Sequence, residues 1–308
     1  MNSSRILGVV LLAAAATGSS YAQATGAASQ SLPPAGSQTL PPAGSQTLPP
    51  AGSQSLPPAG SASLPPAAPK AKSQKEVQAI QAVQAAIDPD AKLEKIDFVL
   101  TNFADTEFKD LLLDMAVQAA EQKGDTVVAM AWAQRDLDNN PNSYVAHLAM
   151  ADDLVISTKE FDLDKQEKLT KAEADAKAAI AALKDAPKPM PSIADAQWAE
   201  ARKQYTAEGW QILAAAEVKR KNYDSAIADY KTALDTSPNP NAEVRLGDAY
   251  SKVGKYDEAI VELDKALADP TITPQVKNVA TSLKNMAVKL KAAGIKPTAP
   301  AAAPASTP

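Results

Sequence analysis

Cysteine is absent from this 308-residue chain, and histidine occurs once, as His147. Without cysteine the chain can form no disulfide bond, no lipid attachment at a cysteine and no metal site built from thiolates. With a single histidine it can form neither a Cys–His catalytic pair nor a metal site of several histidines. We therefore expect a structural or surface role for His147, and no bound metal or cofactor.

An excess of positive charge is also missing. The chain has 31 Lys and Arg residues against 36 Asp and Glu residues, a formal net charge of −5 and a sequence pI of about 5.1. Binding to nucleic-acid phosphates needs clustered Lys and Arg side chains. We therefore expect no nucleic-acid partner. Lys and Glu are interspersed through the middle of the chain, as is typical of solvated helix faces.

Long apolar runs are scarce. The longest, residues 6–16, follows Arg5 and is shorter than the roughly 20 residues of a transmembrane helix. Small residues before and at Ala22 and Ala24 fit a signal peptidase site. We predict that residues 1–24 are a signal peptide cleaved near Ala22 or Ala24. The mature chain would have no membrane span and would be periplasmic or secreted; an uncleaved membrane anchor is the alternative.

Large apolar side chains are rare in the two flanks of the chain. Residues 25–72 contain an eight-residue repeat, "LPPAGSQT", whose copies begin at Leu32, Leu40, Leu48, Leu56 and Leu64. Residues 295–308 are rich in Ala and Pro. Segments of this composition bury too little apolar surface to fold. We predict that both flanks are disordered, and that residues 25–72 are a spacer that could also contact envelope polymers.

The middle of the chain, residues 73–294, has helical periodicity and no convincing strand alternation. In the last segment Val276, Val279, Leu283 and Leu290 share one face of a helix. We predict an all-α domain with a terminal helix at 273–293. The other predicted helices lie at about 74–87, 90–103, 106–122, 125–138, 142–156, 164–185, 192–220, 223–236, 241–253 and 256–268.

A repeat of two helices is superimposed on this pattern. Tyr223 and Ala226 recur as Tyr256 and Ala259, at an offset of 33 residues. A period of 33 or 34 residues is the signature of a helical solenoid.

The repeated residues resemble those of the tetratricopeptide repeat (TPR) family. One unit has Leu246, Gly247, Tyr250, Gly254, Ala259 and Ala266 at the family positions, and the other has Trp210, Leu213, Ala226, Tyr230, Ala233 and Pro238. Departures from the family pattern are Ala214 in place of glycine, Leu263 in place of an aromatic residue, and Pro270 one position early. The clearest repeats are 207–238 and 241–270, and 110–186 is degenerate. The resemblance implies a TPR-like superhelix.

In this family the first helix of each repeat lines a concave groove that binds a peptide or a helix of a partner. The resemblance therefore implies partner contacts at Asp114, Gln118, Gln122, Asp152, Glu208, Gln211, Lys219, Asn241, Arg245, Asp248 and Lys252. A merely solvated face is the alternative for each of them. Only Arg245 and Lys252 suggest the family's clamp for a C-terminal carboxylate, so that ligand is not supported.

Paired carboxylates are the remaining route to catalysis. The pairs Asp136–Asp138, Asp152–Asp153 and Asp162–Asp164 have no distinguishing context, and helix starts or solvated turns explain them. We therefore expect no enzyme. The sequence favours an exported, non-catalytic scaffold or adaptor for a protein or peptide partner. The alternative is a structural or carbohydrate-associated envelope protein without a discrete ligand.

Overall fold

A computed structural model describes residues 69–295 of the chain. The predicted signal peptide lies outside the described residues. So do residues 25–68 of the predicted spacer and all of the predicted C-terminal tail except Ile295. Contact of the spacer with envelope polymers stays a prediction.

Residues 69–295 form eleven α-helices and contain no strand. The all-α prediction is therefore confirmed. In chain order the helices are α1 (Gln74–Ala85), α2 (Pro89–Asn102), α3 (Lys109–Lys123), α4 (Thr126–Asn139), α5 (Tyr144–Ser157), α6 (Lys165–Leu183), α7 (Asp195–Arg220), α8 (Tyr223–Thr236), α9 (Pro240–Lys252), α10 (Tyr256–Ala268) and α11 (Pro274–Ala292). None of these helices is both long enough and apolar enough to cross a membrane.

The helix boundaries follow from local capping. A side-chain oxygen before the helix accepts a hydrogen bond from a free backbone N–H of the first turn. This cap is present at Ser73, Asp88, Asp125, Ser143, Asn239 and Thr273. The turn between α9 and α10 contains Gly254 at φ 77°, a conformation that glycine adopts without steric cost.

The helices are stacked in pairs. Each helix packs against the next one in the chain, and the first helices of successive pairs also touch, α3 against α5 and α5 against α7. At the C-terminal end α11 packs against both α10 and α9. This nearest-neighbour packing is the architecture of a solenoid, so the predicted fold class is confirmed.

Small residues permit the closest helix contacts. A Cβ atom added at Gly247 in α9 would lie 2.6 Å from Leu263 Cγ in α10. A Cβ atom added at Gly209 in α7 would lie 2.7 Å from Ile180 Cγ1 in α6. Distances this short are forbidden to real side chains, so each glycine sets the separation of its helix pair. Tyr230 and Tyr250 are buried in the core between α8 and α9.

Two features distinguish the middle of the array from the regular repeats that follow it. The loop between α5 and α6 is long and contains Phe161, and the loop between α6 and α7 spans residues 184–194. Helix α7 has 26 residues, twice the length of α9. The extra length of α7 places its N-terminal half beside the α6–α7 loop.

Candidate functional site

The predicted groove residues lie on the first helices of four successive pairs. Helix α3 holds Asp114, Gln118 and Gln122, helix α5 holds Asp152, helix α7 holds Glu208, Gln211 and Lys219, and helix α9 holds Asn241, Arg245, Asp248 and Lys252. Because α3, α5 and α7 touch in this order, their candidates lie on adjoining helices. Contact of these residues with a partner remains a prediction.

Some of these side chains have structural contacts inside the chain. The Lys219 ammonium donates a hydrogen bond of 2.6 Å to the backbone carbonyl of Thr158, so it ties α7 to the α5–α6 loop. Asp248 and Lys252 form an ion pair of 3.8 Å along one face of α9. Arg245 interacts with the buried hydroxyl of Tyr230.

Asp114 has the most unusual environment of the set. Its Oδ1 atom lies 3.2 Å from the Ser143 hydroxyl, and that hydroxyl lies 2.6 Å from Asp136 Oδ2. Burial, reinforced by the neighbouring Asp136 carboxylate, raises the pKa of Asp114 well above its usual range. Burial also raises the pKa of Asp136.

Asp114 lines a cleft of about 590 Å³, which we call the Asp114 cleft. One side is formed by the start of α3, and a second by the turn that enters α5. The third side is formed by the end of α6 and the α6–α7 loop. The lining residues are Asp110, Leu111, Asp114, Asn140, Asn142, Ser143, Tyr144, Ala181, Ala182, Asp185, Ala186, Pro187, Lys188 and Pro189.

An aromatic cluster supports the wall of the Asp114 cleft. The ring of Tyr144 lies 5.2 Å from that of Tyr205 and 6.1 Å from that of Trp198, centroid to centroid. Trp198 is buried, and its indole N–H donates a 3.1 Å hydrogen bond to the backbone carbonyl of Ala186. The N-terminal half of α7 therefore holds the proline-containing loop in place against α5.

The electrostatics of the Asp114 cleft are acidic. Asp110 and Asp185 are exposed at its edge, and Asp114 lies deeper. The single basic residue of the lining, Lys188, forms a 2.7 Å ion pair with Asp195. Alanine, proline, leucine and tyrosine side chains supply the apolar remainder of the wall. The cleft thus combines an apolar surface with a net negative charge.

Ser143, His147 and Asp175 do not form a nucleophile–base arrangement. The two ring nitrogens of His147 are engaged, Nδ1 with Asp175 at 2.9 Å and Nε2 with the carbonyl of Pro141 at 3.1 Å. The Ser143 hydroxyl is directed to Asp136. His147 thus links α5 to α6. Within residues 69–295 no group of three His, Asp or Glu side chains is placed to hold a metal ion.

Several residues of the Asp114 cleft were not among the sequence candidates. Asp110, Tyr144 and Asp185 lie at helix ends or in a loop, away from the mid-helix positions that the repeat pattern assigns to a groove. The segment "KDAPKPMPS" at 184–192 signals a loop by its prolines, but nothing in it indicates which helices it touches. The hydrogen bond from Trp198 of the long α7 to Ala186 holds this loop at the cleft.

Comparisons with known proteins agree with the repeat assignment. The tetratricopeptide repeat family model matches residues 217–283, which contain the last turn of α7, all of α8, α9 and α10, and part of α11. The TPR prediction is therefore confirmed for this segment. No curated protein sequence matches the chain significantly.

Solved structures are also similar to the chain. A thermophilic TPR protein of Thermus thermophilus is 17% identical, with 68% of this chain and 95% of that chain covered and a TM-score of 0.48. MamA from Desulfovibrio magneticus RS-1, residue 41 to the end, is 16% identical, with 64% and 96% covered and a TM-score of 0.48. The TPR2AB domain–pHSP90 complex of yeast Sti1 is 16% identical, with 69% and 95% covered and a TM-score of 0.24.

Proposed function

We propose that this tetratricopeptide repeat protein is a non-catalytic scaffold that binds a segment of a protein partner in the Asp114 cleft. The observation that supports the proposal most directly is the cleft itself, an open space of about 590 Å³ between three adjoining elements. Pockets of this size with an apolar wall and a few polar groups are the usual sites of ligand recognition.

The lining indicates the chemistry of the bound segment. Small and cyclic side chains at Ala182, Pro187 and Pro189 favour an apolar ligand that lies against them. Asp110 and Asp185 favour a ligand with a Lys or Arg residue, because complementary charge speeds association and suppresses acidic competitors. The preferred segment is therefore apolar with a neighbouring basic side chain.

We place this scaffold outside the cytoplasm, in the periplasm or the medium. The proposal rests on the N-terminal sequence, in which Arg5, a short apolar run and small residues at Ala22 and Ala24 form a signal-peptide pattern. N-terminal sequencing of the protein recovered from fractionated cells tests it. A chain that starts at Met1 in the cytoplasmic fraction would refute both export and cleavage.

Site-specific photo-cross-linking tests the binding site. A photoreactive p-benzoylphenylalanine is introduced at Asn142, an exposed residue of the cleft lining, and as a control at Ile87, which is exposed on the α1–α2 connection. We expect the Asn142 position alone to cross-link one protein, through a segment that contains Lys or Arg. The double reversal Asp110→Lys/Asp185→Lys should abolish that product.

The same experiment separates the scaffold from a structural envelope protein without a ligand. Equal and diffuse cross-linking from Asn142 and Ile87 would favour the structural role. A discrete product that survives the two aspartate reversals, but is lost with Arg245→Glu/Asp248→Lys, would move the binding site to the sequence-predicted groove residues of α9.

A further inference from the structure

The α5–α6 loop presents two fully exposed apolar side chains. Phe161 is 93% exposed and Leu163 is 107% exposed, whereas Thr158 at the start of the same loop is fully buried. We call residues 158–164 the Phe161 loop. Neither apolar side chain contributes to a core. Exposed aromatic and aliphatic residues on a rigid surface are typical of interaction sites.

The Phe161 loop is fastened at several points. The Thr158 hydroxyl donates to the carbonyl of Leu154 at 2.6 Å, and the Thr158 carbonyl accepts the bond from Lys219. Glu160 pairs with Lys165 at 2.8 Å and with Lys221 at 2.6 Å.

Asp162 closes the loop from the other side. Its carboxylate accepts a 3.0 Å hydrogen bond from the backbone N–H of Lys159 and pairs with Lys168 at 3.2 Å. Phe161 and Leu163 are therefore held outward by a fixed backbone, which lowers the conformational entropy that a bound state must lose.

The Phe161 loop and the Asp114 cleft lie at opposite ends of one helix pair. Helix α5 runs for 14 residues from Tyr144, at the cleft, to Ser157, at the loop. Helix α6 returns from the loop to the cleft. At about 1.5 Å per residue, the two sites are separated by roughly 20 Å or more of helix. One copy of the chain therefore cannot place its own loop in its own cleft.

We propose that the Phe161 loop of one copy binds in the Asp114 cleft of a second copy. The inference rests on the proposed function, since it names one protein segment that the cleft would bind. The apolar walls of the cleft would cover Phe161 and Leu163. The exposed Lys159 beside them would face Asp110 and Asp185. The carboxylates of the loop, Glu160, Asp162 and Asp164, are each paired with Lys165, Lys168 or Lys221, so Lys159 supplies its unpaired charge.

This contact would be heterologous, because two different surfaces meet. Each copy that uses its loop keeps a free cleft, and each copy that uses its cleft keeps a free loop. Contacts of this kind extend into open chains unless the rotation between copies closes a ring. Self-association should therefore increase continuously with protein concentration, without stopping at a dimer.

The test uses the protein produced from its whole sequence and two disabled variants. Phe161→Ser/Leu163→Ser removes the loop contact and keeps the cleft. Asp110→Lys/Asp185→Lys disables the cleft and keeps the loop. Ile87→Ser is the matched control, because it removes an equally exposed apolar side chain elsewhere. Sedimentation velocity over a wide concentration range measures the association, and circular dichroism checks that each variant is folded.

We expect each disabled variant to associate at least about tenfold more weakly than the wild type, and Ile87→Ser to associate normally. A mixture of the two disabled variants should form a one-to-one dimer and nothing larger, because it contains one intact loop–cleft pair. Monomeric wild-type protein at every concentration would overturn the proposal. So would a wild-type oligomer that both disabled variants still form.

Failure of this inference is distinguishable from failure of the proposed function. If the wild type is monomeric but the Asn142 photo-cross-link to another protein persists, the scaffold function stands and the self-association is wrong.

A third arm measures sedimentation with vesicles of phosphatidylglycerol and phosphatidylethanolamine. Vesicle binding by a monomeric wild type, lost in Phe161→Ser/Leu163→Ser, would instead assign the loop to a lipid surface.

Discussion

Asp114 and Asp136 face the same serine hydroxyl. Ser143 Oγ lies 3.2 Å from one carboxyl and 2.6 Å from the other, although a hydroxyl has only one hydrogen to donate. The shorter contact takes that hydrogen to Asp136, and the Asp114 and Asp136 carboxyl groups also share a hydrogen bond. Burial and the nearby Asp136 carboxylate raise the pKa of Asp114 and so favour its neutral form at the floor of the cleft.

Replacing Asp114 with asparagine should stabilise the protein at neutral pH. The folded pKa of Asp114 is raised, so the folded state binds more protons than the unfolded state once the pH exceeds about 3.9. The wild type therefore loses stability as the pH rises from there. An asparagine side chain cannot ionise, and we expect Asp114→Asn to be more stable by on the order of 1 kcal/mol at pH 7.5.

Urea unfolding at pH 4 and pH 7.5 measures this difference. The gain should be smaller at pH 4, where the wild-type carboxyl is protonated to a large extent in both states. Asp138→Asn, at an exposed position of α4, is the control for replacing an aspartate and should have little effect on stability at either pH. A gain for Asp114→Asn that is equal at both pH values would contradict the assignment of a buried neutral acid.

His147 should impose a second pH dependence. The hydrogen bond to Asp175 raises the pKa of His147, and burial opposes this shift. The stability from the charged pair is fully present below the unfolded histidine pKa of about 6.5 and is lost as the pH rises through the raised folded pKa. We therefore expect His147→Gln to destabilise the protein more at pH 5.5 than at pH 9, as measured by thermal unfolding. Equal destabilisation at both pH values would indicate a loss of packing alone.

Gly247→Ala should destabilise the C-terminal repeat. An alanine raises helix propensity by about 1 kcal/mol relative to glycine, but the new Cβ would lie 2.6 Å from Leu263 Cγ. Overpacking of a core costs about 1–3 kcal/mol, so we expect a net loss in the free energy of unfolding.

A double-mutant cycle identifies the cause of the Gly247→Ala effect. Leu263→Ala removes the atoms that clash, so the double variant should be less destabilised than the sum of the two single variants. Ser282→Ala, at an exposed position of α11, is a control that should have little effect. Strict additivity of Gly247→Ala and Leu263→Ala would show that the clash is not the source of the loss.

Lys219→Met should loosen the Phe161 loop without removing its apolar side chains. The variant keeps most of the apolar length of the side chain but loses the hydrogen bond to the Thr158 carbonyl. We expect faster amide hydrogen exchange in residues 158–164 and unchanged exchange in α9. Lys252→Met on α9 is the matched control. If exchange in the loop is unchanged, Lys219 does not hold it.

The sequence predicts the helices better than the candidate site, for a physical reason. Caps such as Thr273 and turn residues such as Gly254 act on neighbouring positions, so the predicted terminal helix 273–293 agrees closely with α11. The pairing of Asp114 with Asp136 joins residues 22 positions apart on different helices. No local pattern distinguishes these two carboxyls from solvated ones.

The repeat pattern also explains why the sequence candidates lie on the first helices of the pairs. Regular repeats such as 241–270 follow the family closely, and a groove position can be transferred to them residue by residue. The Asp114 cleft depends on the lengths of α7 and of the α6–α7 loop, which are departures from the repeat. A pattern that repeats predicts what successive units share, and it contains no information about a feature that occurs in one unit.

The length of α7 has a consequence for cooperativity. Leu213 belongs to the core formed with α5 and α6, while the adjacent Ala214 belongs to the core formed with α8 and α9. The same helix reaches back through Trp198 and Tyr205 to the aromatic cluster beside α5. Arrays of short repeats lose units from the ends, because each unit depends only on its neighbours. Here α7 belongs both to the core with α5 and α6 and to the core with α8 and α9. Neither core can unfold without removing a helix against which the other packs. The two cores should therefore unfold in a single thermal transition.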